Sequence, residues 1–104
     1  MAKSLYQINL DYNKALQQAV ELEAIARELK KMADSEFHSC LEQVAANWKG
    51  DNAQAYIKKG QRLKTQMLTS ATELNNAAKT IRSIAKRTRQ ADRNAYFIAL
   101  SSGN

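Results

Sequence analysis

His38 is the only histidine in the sequence and Cys40 the only cysteine, so acid–base or nucleophilic chemistry has a single place to start. Asp34 and Glu42 stand four residues to either side of His38, and on a helix that spacing puts two carboxylates and an imidazole on one face, a conceivable metal-binding set. The same spacing is common on ordinary solvated helix faces, and that is the reading carried forward. Cys40 lies two residues on, about 200° around a helix, so it cannot couple to His38 as nucleophile to base and is read as a small packing residue. One cysteine is also too few for an intrachain disulfide or for a zinc site of the usual Cys/His kind. The sequence has no Gly-rich phosphate loop, no Gly-x-Ser-x-Gly and no His-Glu-x-x-His. The expectation is a protein with no catalytic centre, no cofactor and no metal.

The elements that must carry these residues are legible from composition. A chain of 104 residues makes one small domain, and 44% hydrophobic with 25% charged residues is ordinary globular usage. It has no proline and three glycines, whereas sandwiches and barrels need Gly- and Pro-rich turns at short intervals. An all-α fold is expected. No apolar run approaches the roughly eighteen residues of a membrane span. The start, Met1-Ala2-Lys3-Ser4-Leu5-Tyr6, lacks the apolar core of a secretory signal, so ordinary signal-peptide export is not expected.

The one clear interruption of the helical pattern is Asn47-Trp48-Lys49-Gly50-Asp51-Asn52, where Gly50 suits the left-handed residue that ends a helix. Asp51 with Gln54 three residues on, and Ser4 with Gln7, read as capping boxes. Two helices are predicted, at about residues 4–47 and 51–99. In the first, Leu5, Ile8, Tyr12, Ala15, Ala19, Leu22, Ala26, Leu29, Ala33, Phe37, Cys40 and Val44 alternate by three and four with one extra four-step, a heptad seam with a stutter. In the second, an uncharged row runs through Tyr56, Gly60, Leu63, Met67, Ser70, Leu74 and Ala77. It continues through Ile81, Ile84, Thr88, Ala91, Ala95 and Ile98.

Helices of roughly 65–75 Å at 1.5 Å per residue, joined by so short a connection, must fold back as an antiparallel hairpin. Leu22, Leu29, Phe37, Leu63, Met67, Leu74, Ile81 and Ile84 are the expected packing residues of the hairpin and its dimer. Leu16, Val20, Ile25, Met32 and Leu41 on the first helix, and Ile57, Leu68 and Phe97 on the second, flank the seams and would stay partly wet. Exposed apolar area forfeits about 25 cal/mol per Å². A second hairpin covering it would give a four-helix bundle of two chains, either two copies or this chain with a partner.

Charge is uneven: residues 1–50 hold six basic and seven acidic groups, residues 51–104 ten basic and three acidic. Lys79, Arg82, Lys86, Arg89 and Arg93 recur by threes and fours, with a mean direction about 150° from the expected seam. This outward basic stripe suits an acidic partner protein, nucleic-acid phosphates or anionic lipid. No stacking aromatics are interleaved with it, which counts against a single-strand platform.

Trp48, the only tryptophan, is expected to plug the turn end of the hairpin. Trp48-Lys49-Gly50 is also a Trp-x-Gly tripeptide between two long helices, followed by Ala53 and Tyr56. In motif, length and layout the whole chain resembles the WXG family, the early-secreted-antigen-like proteins of bacterial type VII secretion. The resemblance implies a non-enzymatic helical hairpin, secreted as a folded dimer without a signal peptide. It implies a role as a small substrate or as the escort of a larger toxin. The implied partners are itself, a related hairpin or a toxin's N-terminal domain, and an FtsK/SpoIIIE-type secretion ATPase.

A C-terminal export signal is also implied. The Tyr-x-x-x-Asp/Glu form of actinobacterial members is absent, because Tyr96 is followed four residues later by Leu100, and Thr88 stands four before Asp92. Asp92, Ala95 and Ala99 match the looser Firmicute pattern of Asp and two following hydrophobic positions, with Thr88 departing from it at the start. A Gram-positive, Firmicute-type system is therefore implied. Ser101-Ser102-Gly103-Asn104 is expected to be a mobile tail. The competing function is binding of nucleic acid or an anionic membrane surface through the basic stripe.

Overall fold

A computed structural model describes residues 3–103; Met1 and Ala2 of the N-terminal segment and Asn104 of the expected tail lie outside the described residues. The fold is all-helical, with no strand among the described residues. Helix α1 spans Leu5–Lys31, a π-helical segment Met32–Phe37 leads directly into α2, His38–Asn47, and α3 spans Asp51–Ser102. Among the described residues no helix is long and apolar enough to cross a membrane.

Local chemistry explains the ends. Ser4 starts α1 as expected: its hydroxyl accepts from the Gln7 amide at 3.1 Å and its carbonyl from the Ile8 amide at 3.0 Å. The Gln7 side chain does not close the box but donates to Asp11 Oδ1 at 2.7 Å. At the turn, Trp48 is extended (φ −109°, ψ 141°) with its amide on the Val44 carbonyl at 2.9 Å, and Gly50 has φ +99°. Asp51 is the first residue of α3 rather than its cap; the Gly50 carbonyl accepts the opening bond from Gln54 at 3.1 Å. As an acidic residue in the first turn, Asp51 complements the positive end of the helix. Helix α3 also runs past the expected stop at Ala99, with the Ser102 hydroxyl donating to the Ile98 carbonyl at 2.7 Å, so Ser101 and Ser102 are helical.

Contacts divide the chain into two compact units, one of residues 23–75 around the turn and one of residues 3–22 with 76–103. In the turn unit α2 and α3 run antiparallel, since Leu41 meets Gly60 and His38 meets Lys64. Its buried residues are Ala26, Ala33, Leu41, Ala53 and Ala71. In the terminal unit α1 and α3 are likewise antiparallel, with Lys3 beside Asp92 and Tyr12 under Arg89. There Ile8, Ala19, Ala78 and Ala85 are buried. Small residues recur at seven-residue intervals among the buried ones, Ala26 and Ala33 with Ala71 in the turn unit and Ala19 with Ala78 and Ala85 in the terminal unit.

That core corrects the expected seam of α3. Gly60, Met67, Leu74 and Ile81 face inward as predicted. As far as Ala95 the remaining positions are displaced by one residue: Ile57, Lys64, Ala71, Ala78, Ala85, Arg89, Asp92 and Tyr96 are the more buried ones. Tyr56, Leu63, Ser70, Ala77, Ile84, Thr88, Ala91, Ala95 and Ile98 are exposed. Alanines let the helices approach closely; Lys64 and Arg89 tolerate it because their long side chains reach His38 and Tyr12, and Asp92 because Lys3 reaches it. The first helix keeps its predicted row from Ile8 to Phe37, with Leu22, Leu29 and Phe37 half-buried, while Leu5 at its start is exposed. Beyond it Cys40 is exposed and Leu41 buried, the reverse of the expectation. The cause is the π segment, whose wider turn sits where the sequence shows its extra four-step, from Ala33 to Phe37.

Candidate functional site

The turn gathers the strongest motif residues. Trp48 does not plug the hairpin end: 55% of its surface is exposed, and its ring leans on that of Tyr56 at 5.7 Å with a 49° tilt. The extended backbone at Trp48 swings the indole outward, and Gly50 then reverses the chain in a conformation that costs an L-residue about 1–2 kcal/mol. Nothing lies within 4 Å of where a Gly50 β-carbon would stand, so the constraint at Gly50 is the backbone alone. Tyr56 borders an open groove of about 200 Å³ with Phe37, Cys40, Leu41, Gly60 and Leu63.

The His38 cluster is a set of surface polar contacts. His38 Nε2 lies 2.8 Å from Glu42 Oε1, and its Nδ1 lies 3.1 Å from Lys64 Nζ, while Asp34 is exposed on the π segment. For the lysine to donate to Nδ1 the imidazole carries its proton on Nε2 and donates to Glu42. Among the described residues no three His, Cys, Asp or Glu side chains converge on a possible ion.

At the other end, Asp92 is not presented freely with Ala95 and Ala99. Its carboxylate lies 3.6 Å from Lys3 Nζ, which also holds Asp11 at 2.8 Å, while Ala95 and Ala99 are exposed. Hydrogen bonds from Lys3 and then Gln7 lower the Asp11 pKa. The hydrogen bond to Asp11, followed by the charges of Asp11 and Asp92, raises that of Lys3. Tyr96 is half-buried and edge-on to Phe97 at 5.3 Å, and every described residue beyond it is exposed. The terminal unit also holds a groove of about 210 Å³ lined by Ile8, Asp11, Tyr12, Ile84, Thr88 and Asp92 among others.

The basic stripe is split. Lys79, Lys86 and Arg93 are exposed and seven residues apart, a single line along α3. Arg82 and Arg89 are half-buried, and the Arg89 guanidinium sits 3.9 Å from the Tyr12 ring centroid, a cation–π contact. The displaced seam explains this, since turning α3 brings the Arg89 row toward α1. The residues missed by sequence reasoning are the buried alanines of α3 and the Tyr12–Arg89 pair. The signal for the alanines is their seven-residue recurrence on both helices, Ala19, Ala26 and Ala33 against Ala71, Ala78 and Ala85.

Compared with protein-family models, with curated proteins and with solved structures, the chain has no match.

Proposed function

We propose that the chain is a non-enzymatic helical-hairpin protein of the WXG kind, exported folded and paired with a second helical hairpin in a four-helix bundle by a type VII system. The observation that carries this reading is Trp48, held 55% exposed beside the positive-φ Gly50. A tryptophan so placed adds little to the fold and much to a surface another protein can grip. Half-exposed Ile25, Met32, Leu63 and Ile84 support pairing, since a single hairpin leaves them wet. Substrate and toxin escort are both compatible with this arrangement.

The test is export from a strain with a working type VII system and from the same strain lacking the secretion ATPase. The wild-type chain should reach the medium only from the first. Trp48→Ala should remain folded in the cell and fail to appear outside. Equal appearance from both strains would overturn the reading.

A second reading, binding of nucleic acid or an anionic membrane surface, is favoured by the exposed line Lys79, Lys86 and Arg93. Phosphate contacts would make any such affinity fall steeply with salt.

A further inference from the structure

We infer that the exposed line of α3 is a lipid-binding edge: Lys79, Lys86 and Arg93 lie on the headgroups of an anionic bilayer, while Phe97 and Leu100, which end the line, insert among the acyl chains. This rests on the second reading above, commits its membrane arm to named residues, and moves the decisive contact from charge to two apolar side chains. The line does not stop at Arg93. Seven residues on, a helical side chain returns to within about 20° of the same direction, so Leu100 is the next member after Lys79, Lys86 and Arg93. Phe97, one turn after Arg93, flanks it. Three exposed cations are thus followed by a half-exposed phenyl ring and a half-exposed leucine, with Leu100 about 10 Å along the axis from Arg93. From Asn94 to Gly103 no side chain is charged.

Charge places an anionic surface on this side. The terminal unit holds eight basic and three acidic side chains, against eight and seven in the turn unit. Two of those three acids, Asp11 and Asp92, are already engaged by Lys3, whereas Lys79, Lys86 and Arg93 have no ion-pair partner among the described residues. Basic side chains in that state are drawn to anionic headgroups. The two apolar side chains then choose among anionic surfaces. A nucleic-acid backbone satisfies the cations but has no acyl layer to receive Phe97 and Leu100, and no aromatics are interleaved with the cations for stacking on bases. In an interfacial helix, by contrast, cations snorkel to the phosphates while aromatic and aliphatic side chains sink about 5–10 Å below them. The exposed row of Ile84, Thr88, Ala91, Ala95 and Ile98 lies on another side of α3, so lipid contact leaves that row to a second hairpin.

The experiment uses the full chain and phosphatidylcholine vesicles with and without phosphatidylglycerol. The wild-type chain should float with the anionic vesicles at low salt and not with the neutral ones. Phe97→Ser with Leu100→Ser should bind at least about tenfold more weakly, because apolar transfer is lost while every charge is kept. Circular dichroism should show that variant as helical as wild type. Lys79→Gln with Lys86→Gln and Arg93→Gln should abolish binding. In a chain carrying Trp48→Phe and Phe97→Trp, the single indole should shift to the blue on the anionic vesicles and be quenched by brominated acyl chains. Equal binding by the serine variant, or an indole that brominated chains do not quench, overturns the inference and leaves surface adsorption through the cations standing. No binding to anionic vesicles at low salt overturns the inference and the membrane reading together. Tighter binding to a DNA duplex than to the vesicles also overturns it, in favour of nucleic acid. So does a blue shift on concentrating the single-indole chain alone, which would put a second copy over position 97.

Discussion

The side chain of Leu41 occupies the space that a β-carbon on Gly60 would need. Gly→Ala inside a helix normally stabilises by about 0.5–1 kcal/mol. Here it forces Leu41, itself buried, out of its place, and overpacking of this kind costs about 1–3 kcal/mol. Gly60→Ala should therefore destabilise by about 1 kcal/mol. In a Leu41→Ala background, where the obstruction is gone, the same substitution should stabilise, and a double-mutant cycle by urea unfolding reads the change of sign.

At the turn, Trp48→Ala should cost less than about 2 kcal/mol, well under the 3–5 kcal/mol of a buried aromatic, because much of the indole already meets water. Gly50→Ala should cost about 1–2 kcal/mol through the backbone. Thermal melts of the two variants decide it; a loss at Trp48 as large as that of a core residue would mean that another molecule covers the indole.

On α3, Arg89→Gln should lose about 0.5–1 kcal/mol with the Tyr12 contact, and Tyr12→Leu should remove most of the dependence on Arg89. Lys86→Gln, on the exposed line, should fall within about 0.5 kcal/mol of wild type. Equal effects at both positions would return Arg89 to the solvent-facing stripe.

The N-terminal clasp should depend on pH at both extremes. Asp11 is depressed below its ordinary 3.8, so what it contributes is present above that value and is lost as pH falls through its lower folded pKa. Lys3 is raised above its ordinary 10.5, so its contribution is complete below that value and is lost as pH rises through the higher folded one. Both groups are open to solvent, so the change should appear as faster amide exchange in the first turns of α1 and not as global unfolding. Lys3→Ala should exchange at the fast rate throughout the range between.

The helices, the Ser4 cap, the turn and the left-handed Gly50 were all legible in the sequence, because each depends on neighbours along the chain. The inward row of the first helix was legible too, as far as Phe37. The row of α3 was not. Judged by hydrophobicity and absence of charge, Leu63 and Ile84 outrank Lys64 and Ala85, yet two helices that pack through alanines reward close approach over bulk. That choice becomes visible only when both helices are considered together. The same displacement turns Arg89 and Asp92 toward α1, so neither faces outward as the sequence leads one to expect. Trp48 stands at the turn its place in the sequence predicts, but it is exposed there, and that exposure follows from an extended backbone that composition does not report.

Between Met32 and Phe37 the first helix carries what amounts to a skip residue. The inward positions Ala33, Phe37, Leu41 and Val44 step by four, four and three, which is an unbroken heptad with one residue too many. Deleting a single residue from the exposed stretch Asp34-Ser35-Glu36 should let the π turn relax to an α turn while every inward side chain downstream keeps its place. The same deletion made in Lys30-Lys31 or Ser39-Cys40, inside regular α-helix, should rotate the residues on one side by about 100° and unfold the turn unit. An indel tolerated at one address and lethal a few codons away would be the genetic signature of that segment.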